Sequence, residues 1–236
     1  MFDGISPDYD RLNHLLSLNI DKTWRRRTLK YILPEEGEDP TDWQVLDVAS
    51  GTGDFAIAIA RRMKKKNIAG CVTGVDISEG MLDVMRHKMS REILDHGEHQ
   101  VFIKAIQGDG ENLPFPDNSF NRVTIAFGIR NFEDREKGLR EFLRVLKPGG
   151  GLFVLELSTP DNKVLRGLYK LYFLHFLPWI GGLLSGKKAA YKYLPASVLK
   201  FPKPEDFVNT ILKAGYRDAA DMSYTFGICR LYVAVK

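Results

Sequence analysis

The segment that most constrains the fold is Val45–Asp54 (VLDVASGTGD), where an apolar strand leads directly into a glycine-rich turn and a helix. Glycine lets backbone amides approach a ligand, and the N-terminus of the following helix adds a favourable partial charge for polar groups. Gly51–Ala56 (GTGDFA) also satisfies the G-x-G-x-x-G/A pattern of dinucleotide binders. The segment predicts a βα unit that holds a nucleotide-like ligand; the alternative is a glycine turn without a ligand-binding role.

From Val45 onward, short apolar runs alternate with segments of helical periodicity, which predicts βα units and a parallel sheet. Strands are predicted at 44–48, 71–76, 101–107, 122–127 and 152–157, and helices at 55–66, 79–94, 134–146 and 204–214. Lys147–Gly150 (KPGG) predicts the turn that ends the helix before it, because proline cannot continue a helix. The runs 216–224 and 228–235 are close enough to pair as a hairpin, so an antiparallel edge is predicted to close the sheet.

The flanking segments do not continue this alternation. Two short helices are predicted within 5–33, followed by an acidic linker at 35–42. A helical, aromatic segment is predicted at 162–184. At 236 residues, one large α/β domain is favoured over two, since single cores keep growing until roughly 250–300 residues.

Composition excludes several classes of protein. A net charge of +4 is too small to indicate nucleic-acid binding, and the basic runs Trp24–Arg27 and Arg61–Lys66 are typical of solvated helix faces. Cys71 and Cys229 lack the spacing of a zinc site or a disulfide framework, which favours a reducing cytoplasm. Met1–Asp10 has no apolar core of a signal peptide, so secretion is disfavoured. The apolar stretch 171–184 is shorter than the roughly 20 residues that a membrane span needs.

Two carboxylates follow predicted strands at the edge where open α/β sheets bind ligands. Asp76 ends the second strand, 23 positions after Gly53, where it could accept both hydroxyls of a ribose. The alternative is a helix cap, for which Ser78 is the better candidate. Asp109 lies just past the third strand, where a carboxylate could bind an adenine amino group.

Four further sequence blocks are informative: Asp109–Asn118 (DGENLPFPDN), Thr124–Asn131 (TIAFGIRN), Arg144–Gly150 (RVLKPGG) and Val154–Pro160 (VLELSTP). Together they resemble the UbiE/MenG/COQ5 family of quinone-biosynthesis C-methyltransferases. The resemblance also covers Tyr9–Asn13, Leu16–Leu18 and Trp24–Arg25 at the front, and Tyr191–Leu194 and Ser197–Pro202 near the end. The glycine and KPGG turns are common to many class I methyltransferases, whereas PFPDN, FGIRN and LELSTP in this order are far more specific.

The resemblance implies a class I, Rossmann-like α/β fold with a seven-stranded, mostly parallel sheet, an antiparallel closing hairpin and N-terminal helices. It also implies S-adenosyl-L-methionine as methyl donor and no metal. The implied cofactor contacts are Asp47, Gly51, Thr52, Gly53, Asp76, Ile77, Met81, Asp109, Gly110 and Ala126. Two positions depart from the family pattern. Ala126 replaces a frequent serine and loses its hydroxyl, and Asn121 replaces a frequent aspartate, which is expected to change a turn rather than the chemistry.

The implied reaction is methylation of a ring carbon of a polyprenylated hydroquinone, and demethylmenaquinol is the favoured acceptor. The ring hydroxyl must be ionised, and its pKa resembles that of a phenol, near about 10. Arg130 is predicted to stabilise the phenolate, while Asn131 and Tyr9 hold the hydroxyl or a bridging water. The alternatives are a salt bridge from Arg130, for example to Glu133 or Asp134, and a packing role for Tyr9. His14 and His175 are spare proton acceptors.

The resemblance further implies an N-terminal helical lid at 1–34 and a substrate-side helical insertion at 162–202, within a single methyltransferase domain at 1–236. Aromatic side chains in 168–184 could line a channel for the prenyl tail or meet lipid at a membrane surface, or could pack on the sheet: Tyr169, Tyr172, Phe173, Phe176 and Trp179. Lys187 and Lys188 would suit anionic headgroups. A cytoplasmic enzyme is expected, peripheral on the inner face of the membrane, with a homodimer as a further prediction and no nucleic-acid partner.

Other functions stay open at this point. A benzoquinol of the ubiquinone pathway is an alternative acceptor, and a methyltransferase for another small molecule is a second. An NAD-dependent oxidoreductase would use the same glycine turn, but the closing hairpin leaves no nicotinamide-binding half. A protein that binds the cofactor without turnover is disfavoured by the presence of Tyr9, Arg130 and Asn131.

Overall fold

The computed structural model describes residue 17 and residues 19–92, 100–172 and 195–236, without the side chain of Lys170. The strands are β1 (Trp43–Val48), β2 (Gly70–Asp76), β3 (Val101–Gln107), β4 (Phe120–Ala126), β5 (Leu146–Leu157), β6 (Asp218–Tyr224) and β7 (Cys229–Val235). The helices are α1 (Ile20–Ile32), α2 (Asp54–Lys65), α3 (Glu79–Met89), α4 (Arg135–Val145), α5 (Lys163–Leu171) and α6 (Pro204–Lys213). A 3₁₀ turn spans Ile129–Asn131.

The strands form one seven-stranded sheet in the order β3-β2-β1-β4-β5-β7-β6. Pairing is parallel from β3 to β5, and β7 runs antiparallel between β5 and β6. The predicted parallel sheet with an antiparallel hairpin at its edge is confirmed. The chain winds outwards from β1 in one direction through β2 and β3, and then returns to the other side of β1 with β4. The β1–β4 boundary is therefore the switch point, where open α/β sheets form a crevice for ligands.

The core lies on both faces of the sheet, which explains why the central strands are almost continuously apolar. In β1, Trp43 and Val45 pack into one buried cluster with α1, α2 and α3, whereas Leu46 and Val48 pack into a second cluster with α4 and α6. Helix α1 is therefore part of the folded core. Its Trp24 is 5% exposed, and Ile32 is fully buried.

The KPGG segment was predicted as a turn between a helix and a strand, but in the structure it lies within a strand. Helix α4 ends at Val145, and β5 begins at Leu146 without an intervening loop. The pairing with β4 then jumps from Phe120–Leu146 to Arg122–Gly151, so Lys147–Gly150 forms an irregularity within the strand. The Asn121 side chain lies at this point and accepts hydrogen bonds from the Gln44 amide and the Lys147 ammonium, both at 3.0 Å.

Some predicted segments fall outside the described residues. These include residues 1–16 and 18 of the lid at 1–34, where the first N-terminal helix was predicted, and residues 173–184 of the aromatic segment 162–184. Helix α3 ends at Met89, earlier than the predicted 94. Within the described ranges, no helix is both long enough and apolar enough to cross a membrane.

Candidate active site

A cavity of about 610 Å³ opens at the carboxyl ends of the parallel strands, across the β1–β4 switch point. Its lining combines the turns after β1, β2, β3 and β4 with side chains from α1, α5 and the β6–β7 turn. Two ends of this cavity differ in chemistry. We call the region next to β1, β2 and β3 the cofactor end, and the region next to β4, β5 and α5 the acceptor end, after the ligands that the sequence resemblance implies there.

The glycine turn and Asp76 form one hydrogen-bonded unit at the cofactor end. Gly51 has φ +55°, and its amide donates to Asp76 Oδ2 at 2.8 Å. The Ser78 amide donates to Asp76 Oδ1 at 2.9 Å, and the Ser78 hydroxyl accepts from the Met81 amide at the start of α3. Ser78 is the helix cap, as predicted. Asp76 thus lines the cavity while tying the β1–α2 turn to the β2–α3 turn.

Asp47 is a buried carboxylate on the cavity wall, 1% exposed. The Thr124 hydroxyl donates to its Oδ1 at 2.8 Å. Its Oδ2 has no hydrogen-bond partner among the described residues. Burial raises the pKa of Asp47 to about 7, and the Thr124 hydrogen bond opposes that rise. A buried acceptor oxygen beside a cavity can be satisfied by a cationic group of a ligand, such as an ammonium.

The turn after β3 brings Asp109 and Gly110 to the cavity. Asp109 Oδ1 accepts a hydrogen bond from the Glu111 amide at 2.9 Å. Gly110 lies against the Phe132 ring. A Cβ atom at position 110 would be 2.5 Å from Phe132 Cζ and 2.8 Å from Val48 Cγ1. A side chain at position 110 would therefore have to displace the half-buried Phe132 ring.

The structure brings most of the predicted cofactor residues to this cavity. Lining it are Asp47, Gly51, Thr52, Asp76, Ile77, Met81, Asp109, Gly110 and Ala126. Gly53 is not part of the lining; it precedes α2 with φ +81°, and a side chain there would collide with Met85. The structure thus gives Gly53 a packing function, since its lack of a Cβ lets α2 approach α3.

Arg130 and Asn131 lie in the 3₁₀ turn after β4 and line the acceptor end. Arg130 Nη1 donates to Glu156 Oε1 at 2.7 Å and to the Phe127 carbonyl. The side chains are 8% and 0% exposed respectively. A salt bridge is present, but its partner is Glu156 on β5. Neither Glu133 nor Asp134, the two partners given as examples, pairs with Arg130; the Asp134 carboxylate instead accepts from the Lys137 amide at the start of α4 at 2.9 Å.

Aromatic side chains from distant parts of the chain form the wall around Arg130. Phe127 has φ +61°, and its ring centroid lies 6.2 Å from that of Trp24. The Trp24 indole donates to the Thr225 hydroxyl at 2.8 Å, which connects α1 to the β6–β7 turn. Tyr169 of α5 is 9% exposed; burial raises its pKa, and the positive charge of Arg130 opposes the rise. A neutral phenol therefore lies near the buried cation.

Several functional candidates were missed by sequence reasoning although their segments had been recognised. Glu156 lies in the LELSTP block, and Phe127 lies in the FGIRN block. Arg25 lines the cavity, where it donates to Asp21 at 2.7 Å and lies 3.8 Å from Asp54. Tyr169 was considered only for the prenyl tail. A charged residue inside an otherwise apolar strand, as in VLEL, is the signal that could have identified Glu156.

Tyr9 lies outside the described residues, as do His14, His175, Phe173, Phe176, Trp179, Lys187 and Lys188. The structure therefore reports on two of the three predicted catalytic residues, Arg130 and Asn131. Within the described ranges, no cluster of three potential metal-ligating side chains is found.

The strand order, the glycine turn and the cavity at the switch point define a class I, Rossmann-like methyltransferase fold. A solved S-adenosylmethionine-dependent methyltransferase from Thermotoga maritima superposes with a TM-score of 0.63 at 21% identity, covering 100% of this chain and 98% of that one. The family model described as the ubiE/COQ5 methyltransferase family matches residues 1–236. The chain belongs to this family.

Named relatives are similar over the full length of the chain. A demethylmenaquinone methyltransferase from Bacteroides fragilis is 43% identical over 236 residues, which is 100% of this chain and 91% of the relative. A ubiquinone/menaquinone biosynthesis C-methyltransferase UbiE from Geobacter sulfurreducens is 46% identical, with 100% and 87% coverage. The resemblance seen in the sequence blocks is thus confirmed at the level of the family.

Proposed function

We propose that this chain transfers the methyl group of S-adenosylmethionine to a ring carbon of demethylmenaquinol, giving menaquinol. The observation that carries the proposal is the composition of one cavity, in which Asp76 and Asp109 lie at one end and the buried cation Arg130 lies at the other. Family membership and the names of the relatives from Bacteroides and Geobacter support the same reaction.

The residues at the cofactor end fit S-adenosylmethionine. Asp47 Oδ2 is buried and lacks a hydrogen-bond partner among the described residues, which suits the ammonium of the methionine moiety. Asp76 would accept the ribose hydroxyls, and Asp109 would accept the adenine amino group. When bound, this cofactor supplies an electrophilic methyl group. The Ala126 position offers no side-chain hydroxyl, so it would contribute backbone contact alone.

At the acceptor end, Arg130 would stabilise the ionised ring hydroxyl. A phenol with a pKa of about 10 is almost entirely protonated at neutral pH, and a nearby cation lowers that pKa. The guanidinium is effectively always protonated, so Arg130 would act as a charge and hydrogen-bond donor, not as the base. The negative charge of the phenolate is delocalised to the ortho carbon, which then becomes the nucleophile.

To give menaquinol, two protons must leave the acceptor and one must return. The hydroxyl proton would pass to a water held by Asn131 and Tyr9. As the new carbon–carbon bond forms, the bond from the methyl group to sulfur breaks, and S-adenosylhomocysteine would be the leaving group. The proton on the methylated carbon would then pass to water, which restores the aromatic ring, and the ring oxygen would take back one proton, so that the reaction releases one proton in total. Tyr169 is a further candidate for this proton path, since it lines the cavity and its raised pKa keeps its hydroxyl neutral. The aromatic wall would limit the access of bulk water to the acceptor end, which would strengthen the interaction between Arg130 and the phenolate.

The prenyl tail would leave the cavity along α5, and α5 would lie at the membrane surface. Tyr169 and Tyr172 line the cavity, while Val164, Leu168 and Leu171 are 73%, 61% and 62% exposed. Spacings of four and three residues put these three side chains on one face of the helix. An exposed apolar stripe next to a cavity for a lipid-tailed acceptor supports peripheral membrane contact.

Flotation with anionic liposomes tests the membrane contact. We expect the wild-type protein to float and Leu168→Glu/Leu171→Glu to stay at the bottom of the gradient. Leu212→Glu on α6 is the matched control, because Leu212 is 39% exposed and lies outside the cavity lining. Equal flotation of the double variant and the wild type would contradict this part of the proposal.

A methyl-transfer assay tests the reaction. Purified protein, radiolabelled S-adenosylmethionine and chemically reduced demethylmenaquinone in detergent should give labelled menaquinone. A parallel reaction with the benzoquinol counterpart tests the alternative acceptor of the ubiquinone pathway. Label in the naphthoquinol alone supports the proposal, and label in both acceptors indicates a shared catalyst. Label in neither, with the cofactor bound in calorimetry, would redirect the search to other small molecules.

The proposed N-terminal lid at 1–34 and the substrate-side insertion at 162–202 belong to this same proposal, within a single domain at 1–236. The cytoplasmic location and the homodimer stay predictions. Size-exclusion chromatography with light scattering would test the homodimer.

A further inference from the structure

We propose that Glu156 is a positioning residue that holds Arg130 in the orientation needed at the acceptor hydroxyl. The inference rests on the proposed function, since it concerns how Arg130 is set up for that reaction. Nothing in the sequence blocks alone links the two residues, which lie 26 positions apart.

The Glu156 carboxylate binds both the side chain and the backbone of Arg130. Its Oε1 accepts from Arg130 Nη1 at 2.7 Å, and its Oε2 accepts from the Arg130 amide at 3.3 Å. Oε1 also accepts from the Leu157 amide at 2.8 Å. The carboxylate therefore fixes where the 3₁₀ turn lies and where the guanidinium points.

The support for Glu156 is rigid because β5 is an inner strand of the sheet. β5 pairs with β4 on one side and with β7 on the other, and Glu156 lies opposite Arg230 in the second pairing. The Phe127 amide donates to the Leu155 carbonyl at 2.7 Å, so the chain leading to Arg130 is tied to the same strand. Groups on inner strands hold a functional geometry better than groups on loops.

The chemistry of the pair favours a functional reason for its presence. Removing two charges from water is costly, and well-packed apolar residues often replace a buried ion pair without loss of stability. The Arg130 and Glu156 side chains are 8% and 0% exposed, so most of this cost applies here. The presence of this costly ion pair is explained if Arg130 must stay charged and fixed in position beside the cavity.

Glutamine at position 156 tests the hydrogen-bonding role of the carboxylate, because it keeps the size of the side chain. Both carboxylate oxygens accept from N–H donors, whereas an amide offers one oxygen and one NH₂ group. In Glu156→Gln, the NH₂ group would take the place of one of the two oxygens and would face N–H donors. In one orientation it faces the Arg130 amide, and in the other it faces both the Arg130 guanidinium and the Leu157 amide. We therefore expect the guanidinium to move while the volume of the side chain is kept.

A double-mutant cycle tests whether Glu156 acts through Arg130. Glu156→Gln should lower kcat for demethylmenaquinol about 10- to 100-fold, the loss expected for a misplaced group. Its cofactor Kd should stay within about twofold of wild type, because Glu156 is absent from the cofactor end. In the Arg130→Gln background, the same change should cost no further activity. Glu136→Gln, in an exposed pair with Arg140, is the matched control.

Side-chain NMR keeps the inference testable without turnover. In the wild-type protein, the Arg130 Nη signals should show the restricted rotation of a held guanidinium, and Glu156→Gln should remove it. If Glu156→Gln does not fold, kcat is compared between Arg130→Gln and the double variant Arg130→Gln/Glu156→Gln. The double variant carries neither buried charge, so it is not destabilised by an unpaired one.

Three results would overturn the inference. The first is a Glu156→Gln protein with the kcat of wild type, and the second is a Glu156→Gln change that lowers kcat as much in the Arg130→Gln background as in the wild type. The third is free rotation of the Arg130 guanidinium in the wild type. A wild-type protein that methylates no quinol would contradict the proposed function instead. In that case the NMR result still decides whether Glu156 holds Arg130.

Discussion

The cofactor end and the acceptor end of the cavity are built in different ways. The cofactor end uses consecutive strand-to-helix turns, and its polar groups lie within a few residues of a strand end, as with Asp47, Asp76 and Asp109. The acceptor end joins Arg130 to Glu156 on another strand, and its wall takes further groups from α1, α5 and the β6–β7 turn. The first end is a property of the fold, whereas the second depends on how this chain packs.

The substitution with the largest expected effect removes the charge at the acceptor end and leaves the cofactor end unchanged. Arg130→Gln should lower kcat about 10²- to 10³-fold, the range found when a charge-stabilising donor is removed. Steady-state methyl-transfer kinetics, with calorimetry of cofactor binding, measure the two ends separately. Cofactor affinity should stay within about twofold of wild type. Arg140→Gln on the exposed face of α4 is the control, and a kcat within twofold of wild type in Arg130→Gln would remove Arg130 from the mechanism.

The converse substitution breaks the cofactor end. Asp76→Ala removes the carboxylate that would bind the ribose, together with the acceptors for the Gly51 and Ser78 amides. Loss of charge-assisted hydrogen bonds of this kind costs about 1.5–3 kcal/mol, so the cofactor Kd should rise about 10- to 100-fold in calorimetry. Asp83→Ala, in an exposed pair with Arg86 on α3, should leave Kd unchanged. Equal affinity in the two variants would place the ribose elsewhere.

A third substitution tests the packing that shapes the cofactor end. Gly110→Ala puts a methyl group against the Phe132 ring and should lower the free energy of unfolding by about 1–3 kcal/mol, measured by urea denaturation. Gly167→Ala in α5 is the matched control, because a Cβ there meets no atom within 4 Å. That control should be neutral or slightly stabilising. A Gly110→Ala protein as stable as wild type would show that Phe132 can move aside.

The smallest expected effect concerns the ionisation of Asp47. With a pKa of about 7, its ionised fraction rises between pH 6.5 and 8, so affinity for the cationic cofactor should rise about fourfold across that range. Calorimetry at several pH values measures this change. Asp47→Asn should bind more weakly and lose this pH dependence. An unchanged pH profile in Asp47→Asn would assign the titration to another group.

The same ionisation has an opposite effect on stability. The pKa of Asp47 is about 7 in the folded protein and about 3.9 in an unfolded chain, so the unfolded state releases its proton first as pH rises. The Asp47 contribution to folding stability is therefore full below about pH 4 and is lost progressively up to about pH 7. Urea denaturation of wild type and Asp47→Asn across this range separates that contribution from those of the other groups.

The positions of the residues at the cofactor end were predicted well because their signals are local. A strand end, a glycine turn and a carboxylate at fixed spacing predicted both the sheet edge and the place of Asp76, and the spacing to Ser78 predicted the helix cap. Gly53 is the exception. The glycine pattern includes it, but whether a glycine faces a ligand or a neighbouring helix depends on how α2 and α3 pack around Met85.

The acceptor end was predicted only in part because its partners are distant in sequence. Arg130 was recognised, but its salt bridge was assigned to neighbours in the sequence, whereas the β4–β5 register brings Glu156 to it. The KPGG segment was predicted as a turn before a strand, and it became an irregularity within β5 next to Asn121. Register and packing decide both features, and neither can be read from local periodicity.

A crystal structure with S-adenosylhomocysteine and a short-tailed demethylmenaquinone tests the central claim most directly, because it locates both ligands in one cavity. We expect the ribose hydroxyls within hydrogen-bond distance of Asp76, and a ring oxygen within hydrogen-bond distance of Arg130, with Glu156 still bound to the same guanidinium. A quinone ring bound away from Arg130, with the cofactor in place at Asp76, would contradict the division of the cavity into a cofactor end and an acceptor end.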